Sequence, residues 1–255
     1  MSLTFYIVDV FAEERYSGNQ LAVVRGGADL SDETLQKIAL EMYYSETTFI
    51  LSEKEIDGGY DVRIFTPGGE VPFAGHPTLG TAYVIRHEIL ASPARRITLH
   101  LKAGKIPVSF GEGLWMRQLP PTFSTTLDPA QVASTLRLES ADLDDRYLEL
   151  VGNIEAENVL VFCPEPHENA DLSARMFAPG LGFPEDPATG SANGCLAGYL
   201  VEHRYFRIDS IDVRVEQGYE IGRPSLLYLR AEKKDEETNI HVGGKVQMVA
   251  RGELV

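Results

Sequence analysis

His76 and Asp186 each stand immediately before a proline, and each is followed by a short run ending in Gly-hydroxyl-Ala: "HPTLGTA" from His76 and "DPATGSA" from Asp186. Histidine and aspartate carry protons, and the hydroxyls of Thr81 and Ser191 follow at the same spacing. Both segments read as helix starts, with Pro77 at the first helical position, where a missing N–H costs nothing, and a long helix beginning at Pro187. A helix N-terminus presents unpaired N–H groups and a partial positive charge. Two such ends facing across a cleft would make a dry, anion-attracting pocket, with His76, Thr81, Asp186 and Ser191 projecting into it. Gly80 and Gly190 would let backbone or helices approach closely. Such a pocket suits an amino acid or another small carboxylic acid. Either corner alone reads as an ordinary capped helix; the matched pair points to a site.

The match extends backwards. Arg63-x-Phe65-x-Pro67-Gly68 parallels Arg175-x-Phe177-x-Pro179-Gly180, so the strand–loop–helix order is the same in both halves. Two copies cannot form an array, so this is a duplicated unit and not a solenoid. Strands are expected at "TFYIVDVFA", "LAVVRG", "SETTFIL", "GGYDVRIFT", "RRITLHLKAGKIPVSF" and "GLWMRQL", then at "RYLELVG", "ENVLVFC", "SARMFAP", "SIDVRVEQG", "SLLYLRAEK" and "NIHVGGKVQMVARGEL". "LSDETLQKIALEMYY" is an amphipathic helix with Ser31 as N-cap, Asp32 and Glu33 in the first turn, and Leu35, Ile38, Ala39 and Met42 on one face. A short helix is expected at "PAQVASTLR", after the Pro/Thr-rich connector "PPTFSTTLDPA", which is the best candidate for a boundary. Strands dominate and hairpin-length connections outnumber crossovers, which gives an α+β fold with mostly antiparallel sheets.

The chain has 255 residues, 44% hydrophobic, with a formal net charge of -15. No Lys/Arg-rich run appears, which argues against a nucleic-acid partner. The two cysteines, Cys163 and Cys195, form no CxxC, and no ligand cluster or phosphate loop is present, so neither metal nor organic cofactor is expected. Both thiols are expected free and packed in the core. The N-terminal segment lacks a basic region, its apolar run is broken by Asp9, and no run reaches the length of a membrane span. A soluble cytoplasmic protein is the expectation.

"RIFTPGGEVPFAGHPTLGTA", "GFPEDPATGSA" and "EQGYEIGRPS", together with "FAEERYSGNQLAVV" and "YYSETTFIL", resemble the PhzF-like isomerase family, named for a phenazine-biosynthesis enzyme. The resemblance runs from Asp9 to the final strand. It implies a fold like that of diaminopimelate epimerase: two similar domains, 1–118 and 119–255, each an antiparallel barrel-like sheet wrapped around a central helix, with the final strand free to return to the first domain. It further implies cofactor-independent proton transfer at carbon in a small carboxylate, an active site between the domains, and a homodimer. Glu46 matches the family's catalytic acid/base. His76, Asp186 and Ser191 match residues that position substrate or relay a proton, and Gly190 matches the carboxylate-binding end. Asn19, in the "SGN" loop that neighbours the pocket in relatives, joins the substrate-binding set. Gln20 departs from the pattern, where Pro is expected. No cysteine stands at either corner, so two-thiol epimerase chemistry is not implied.

Without the resemblance, Glu46 reads as an exposed charge at a helix–strand junction. As a base it would need apolar walls to raise its pKa, and Phe49 and Ile50 are the nearby candidates. Glu70 reads as structural. Gln217 and Arg223 either face the cleft or punctuate a strand–turn–strand. Two other functions compete with the isomerase. One is a serine hydrolase built on His76, Asp186 and Ser191, although Ser191 is in no GxSxG elbow. The other is a catalytically silent module that keeps the pocket for a metabolite or protein partner.

Overall fold

A computed structural model of the chain describes residues 2–90, 93–123, 158–178, 184–235 and 237–255. The expected helix at 129–137 and strand at 146–152, and most of the connector, lie outside the described residues. The strands are β1 (Leu3–Val10), β2 (Asn19–Arg25), β3 (Glu46–Ile50), β4 (Tyr60–Thr66), β5 (Gly69–Val71), β6 (Arg96–Leu101), β7 (Gly104–Phe110), β8 (Leu114–Gln118), β9 (Val159–Cys163), β10 (Leu172–Phe177), β11 (Glu185–Asp186), β12 (Ser210–Gln217), β13 (Ser225–Lys234), β14 (Glu237–Gly244) and β15 (Val246–Leu254). The α-helices are α1 (Asp32–Met42), α2 (Gly75–Val84), continued by a π-helical turn over Ile85–Ile89, and α3 (Gly190–Glu202). Among the described residues no helix is long and apolar enough to cross a membrane.

The strands join in one hydrogen-bonded path, β11-β10-β12-β13-β14-β8-β7-β6-β4-β3-β2-β1-β15, with β5 beside β4 and β9 beside β10. The fold is α+β, and three pairings are parallel: β2 with β3, β4 with β6, and β10 with β12. Each spans a connection that carries a helix, as a parallel crossover requires. The unit β4–β5–α2–β6 has the same order and pairing sense as β10–β11–α3–β12. Its side chains repeat too. Arg63 clasps Glu70 through Nε and Nη2, both at 2.8 Å, and lies over Phe65 at 5.0 Å. Arg175 clasps Glu185 at 3.0 and 2.8 Å and lies over Phe177 at 4.9 Å. The bidentate pair fixes the short strand that leads to each helix. Glu70 is thus structural, as expected, and Arg63 and Lys102 hold its carboxyl down at about 2.

α1 forms as its sequence dictates. The Ser31 side chain accepts from the Thr34 N–H, Leu35 and Ala39 are buried, and Tyr43 ends the helix in the left-handed region. Its apolar face covers a small cluster with Val24, Phe49 and Phe65. α2 and α3 are buried along most of their lengths and share the main core. α2 packs on β1, β2, β3, β6, β7, β8 and β15, and α3 on β12, β13 and β14.

Both helix starts differ from expectation. α2 begins at Gly75, so Pro77 is its third residue, and α3 begins at Gly190, three residues after Pro187. Proline is tolerated anywhere in the first turn, as at Pro77, because those N–H groups have no intrahelical partner, and Pro187 stands in the approach before the N-cap Thr189; a proline therefore does not mark the first residue. The register of the repeat changes accordingly. Gly75 matches Gly190 as first helical residue, and His76 matches Ser191. Gly80 lies mid-helix against Val8, Val10 and Leu21, and Thr81 is buried with its hydroxyl 2.8 Å from that of Thr48.

The two helices abut end to end. A Cβ on Gly75 would lie 2.9 Å from the Gly190 Cα, 2.9 Å from the Ser191 nitrogen and 3.0 Å from the Met116 methyl. Backbone atoms cannot yield as a side chain can. Gly75→Ala should therefore cost about 1–3 kcal/mol in urea denaturation, whereas Gly68→Ala, whose Cβ would meet only the Thr66 hydroxyl at 3.6 Å, should stay within about 0.5 kcal/mol of the parent. Equal stability of the two variants would contradict the close contact.

Candidate active site

Glu46 opens β3 and His76 is the second residue of α2. Glu46 Oε2 and His76 Nε2 lie 3.4 Å apart, both shielded from solvent and both without a hydrogen-bond partner. Buried polar atoms are normally paired, so two orphans facing each other mark a place where a ligand or a proton belongs. Burial, and then the charge of Asp186, raise the Glu46 carboxyl from 4.5 to about 8. Burial depresses His76 to about 3, against a hydrogen bond to the Gln20 backbone that works the other way. The neutral ring turns its Nε2 toward Glu46.

Asp186 closes the other side and is 5% exposed. Its Oδ1 accepts from Asn19 Nδ2 at 2.9 Å and, at 3.5 Å, from the Ser45 hydroxyl; its Oδ2 accepts from the Thr189 hydroxyl at 2.5 Å. Burial lifts this carboxyl to about 6, opposed by those three donors. Burial thus lifts both carboxyls and keeps His76 neutral, while the donors around Asp186 favour its charged form. Asn19 also donates to the Ala188 carbonyl at 2.9 Å, tying β2 to the entry of α3. Arg223 holds the preceding loop through Asp9 Oδ1 at 2.7 Å and the carbonyls of Ser17 and Gly18.

The family model described as "Phenazine biosynthesis-like protein" (PhzC-PhzF) matches residues 8–127 and 117–252. The chain belongs to this family. It is 34% identical to the trans-2,3-dihydro-3-hydroxyanthranilate isomerase of Pseudomonas aeruginosa, over 97% of this chain and 98% of that protein. A PhzF-family structure from Bacillus anthracis superposes with a TM-score of 0.88 at 26% identity, covering 100% of this chain and 99% of that one. The hydroxyproline epimerase of Agrobacterium vitis shares the fold, with a TM-score of 0.59 at 9% identity over 99% of this chain and 92% of its own. The curated relatives of this PhzF-family chain are isomerases.

In this family member the structure brings Glu46, His76, Asp186 and Asn19 into one cluster. Gly190 packs against Gly75, and Ser191, beside it, is exposed. Among the described residues no hydrogen bond links Ser191 to His76 or Asp186, and the Asp186 oxygens are engaged elsewhere, so the three do not form a nucleophilic triad. Gln20 acts on His76 through its backbone and not through the side chain that departs from the pattern. The walls expected from Phe49 and Ile50 are not there. Strand alternation sends Phe49 to the cluster under α1, and Ile50 lies at the far end of β3. Glu46, whose side chain is 15% exposed, instead meets residues distant in sequence, His76 at 3.4 Å and the charge of Asp186. Cys163 is exposed at the end of the outer strand β9, not in the core, and Cys195 is half-buried in α3; both are free. Among the described residues no group of three or more His, Cys, Asp or Glu side chains could hold a metal ion.

The carboxyl of Glu46 has a stability consequence. Its folded pKa of about 8 exceeds the ordinary 4.5, so the unfolded state releases its proton first. Stability is fully present below pH 4.5 and is lost as pH rises through about 8. Glu46→Gln mimics the protonated form. Its melting temperature should match the parent near pH 5 and exceed it at pH 9, where the difference in unfolding free energy is on the order of a few kcal/mol. A pH-independent offset between the two melting curves would refute the raised carboxyl.

Proposed function

We propose that the protein is a cofactor-independent isomerase that moves a proton at carbon in a small cyclic or amino-acid-like carboxylic acid, with Glu46 as the acid/base. The observation that carries this reading is the facing pair of unpartnered buried atoms, Glu46 Oε2 and His76 Nε2. A carboxyl with a pKa near the working pH is suited to take a proton and give it back. When ionised, Glu46 would abstract a proton from one carbon of the substrate and return it to another on the same face. The Nε2 lone pair of His76 would hold or relay that proton. Asp186 and Asn19, with Ser191 at the rim, would orient the substrate's polar groups. The abutting N-termini of α2 and α3 suit the substrate carboxylate and the charge that develops as the C–H bond breaks.

The same reading includes a division near 118/119 into two similar domains, each a barrel-like sheet around α2 or α3, with β15 returned to the first, and a homodimeric assembly. The matched order of β4–β5–α2–β6 and β10–β11–α3–β12 supports the division.

Trans-2,3-dihydro-3-hydroxyanthranilate, the substrate named for the Pseudomonas relative, heads a panel of cyclic and aromatic amino acids to be incubated with the protein in D2O. Deuterium should appear at carbon in one of them by NMR. Glu46→Gln should lower turnover by roughly 10²- to 10⁴-fold while calorimetry still detects ligand. A variant with near-normal turnover would remove Glu46 from the chemistry.

The base must be ionised in the free enzyme. The kcat/KM of the labelled reaction should therefore climb with pH and level off above about 8, the pKa of Glu46. A profile flat from pH 6 to 9 would exclude Glu46 as the titrating base.

A further inference from the structure

Gln217 ends β12 and is 1% exposed. Its Oε1 accepts from the Thr189 backbone N–H at 3.2 Å and from Asn193 Nδ2 at 2.8 Å. Its Nε2 donates to the Asp186 carbonyl at 2.7 Å and to the Thr189 hydroxyl at 3.2 Å. A backbone N–H only donates and a backbone carbonyl only accepts, so these two partners settle which end of the amide is oxygen. The Thr189 hydroxyl is therefore an acceptor toward Gln217. Its single proton is left for Asp186 Oδ2, 2.5 Å away. Asn19 Nδ2, at the other carboxylate oxygen, can only donate. Asp186 thus meets a ring of donors whose directions are fixed from outside the site.

We propose that Gln217 is a positioning residue for the acid/base cluster: it aims the Thr189 hydroxyl so that Asp186 remains a carboxylate and the facing Glu46 carries the proton. The link to turnover rests on the isomerase reading; the placement of the proton does not. Among the described residues, the charged and titratable groups around Asp186 leave Glu46 as its partner. Glu46 faces it from β3, and His76 of α2 meets Glu46. Glu185, next in chain, is bound by Arg175. Glu216, beside Gln217, accepts from the N–H groups of His167 and Glu168. Arg223 is engaged by Asp9 and two carbonyls.

The test is a carbon-detected NMR titration of the Asp186 and Glu46 carboxyls in the ligand-free protein. It compares the parent with Gln217→Leu, Thr189→Val, Thr189→Ser and the double variant Gln217→Leu/Thr189→Val. At pH 7 the parent should show an ionised Asp186 and a protonated Glu46. In Gln217→Leu the Asp186 midpoint should rise by about one pH unit, the size of one lost charge-assisted hydrogen bond, and charge should move toward Glu46. Thr189→Val should do the same, Thr189→Ser should keep the parent's midpoint, and the double variant should add no further shift. Unmoved midpoints in Gln217→Leu, or independent additive shifts in the double variant, overturn the proposal. If Gln217→Leu fails to fold, the Thr189 pair decides, because a valine variant with the parent's midpoint is equally fatal. With a substrate in hand, the kcat/KM limb of Gln217→Leu should shift with the carboxyls; a lower kcat on an unmoved limb would mean a merely structural role. Should no substrate be labelled at all, the isomerase reading fails while the carboxyl titration still decides this one.

Discussion

The contact of two helix N-termini, Gly75 of α2 against Gly190 of α3, is the constraint on which the rest of the site depends. Each end carries roughly half a positive charge and several unpaired N–H groups, so bringing the two together is unfavourable unless negative charge lies nearby. Neither helix supplies it by ordinary capping: Ala74 and Thr189, the two N-cap residues, make no side-chain cap hydrogen bond, and neither first turn contains an acidic residue. The acids come from elsewhere, Asp186 from β11 and Glu46 from β3. The junction therefore gathers two carboxyls from separate strands, where burial disfavours the charge of both and hydrogen-bond donors at Asp186 oppose that effect.

β8 serves as the floor of this junction. The Met116 methyl touches both terminal glycines, and Gln118 Nε2 donates to the Gly190 carbonyl at 3.0 Å. Gly194, one turn along α3, leaves room for the Gln118 side chain, since a Cβ there would overlap it. The repeated Arg–Phe–Glu clasps act at one remove. By pinning β5 and β11 beside β4 and β10, they fix the chain just before each helix begins. The geometry of the acid/base cluster thus rests on strand pairing and salt bridges outside it.

Local chemistry was legible in the sequence wherever it acts locally. Ser31 with Asp32 and Glu33 marks α1, alternating β-branched residues mark β1 and β2, and the Arg–Phe repeat marks the two equivalent units. His76 and Asp186 stood out because a proton carrier before a proline is visible in the chain itself. The helix starts were misplaced because proline fits any position in a first turn, as at Pro77, or the approach before the cap, as at Pro187, while the true first residues, Gly75 and Gly190, meet in a contact between segments more than a hundred residues apart. The same distance hid the environment of Glu46. Its neighbours in sequence, Phe49 and Ile50, point or lie elsewhere, and the groups that act on it are His76 of α2 and Asp186 of β11. Gln217 read equally well as a turn residue, since its partners Thr189, Asn193 and Asp186 meet it only after α3 has docked.

β15 pairs antiparallel with β1 from Leu3↔Leu254 to Val10↔Val246, with a shift of register between Ile7 and Val8, and it is the partner on the side of β1 away from β2. Between them the chain runs through every other strand and helix. Closing a loop of that length costs little more entropy than closing one half as long, but it cannot happen until the rest of the chain is available. Until then one edge of β1 offers its N–H and C=O groups to any passing strand, beside a core-facing row that includes Val8 and Val10. Pairings this distant are slow to form and exposed to misassembly. During synthesis the protein therefore spends an interval with its first strand open, in which a chaperone or a neighbouring nascent chain competes with β15 for the same edge.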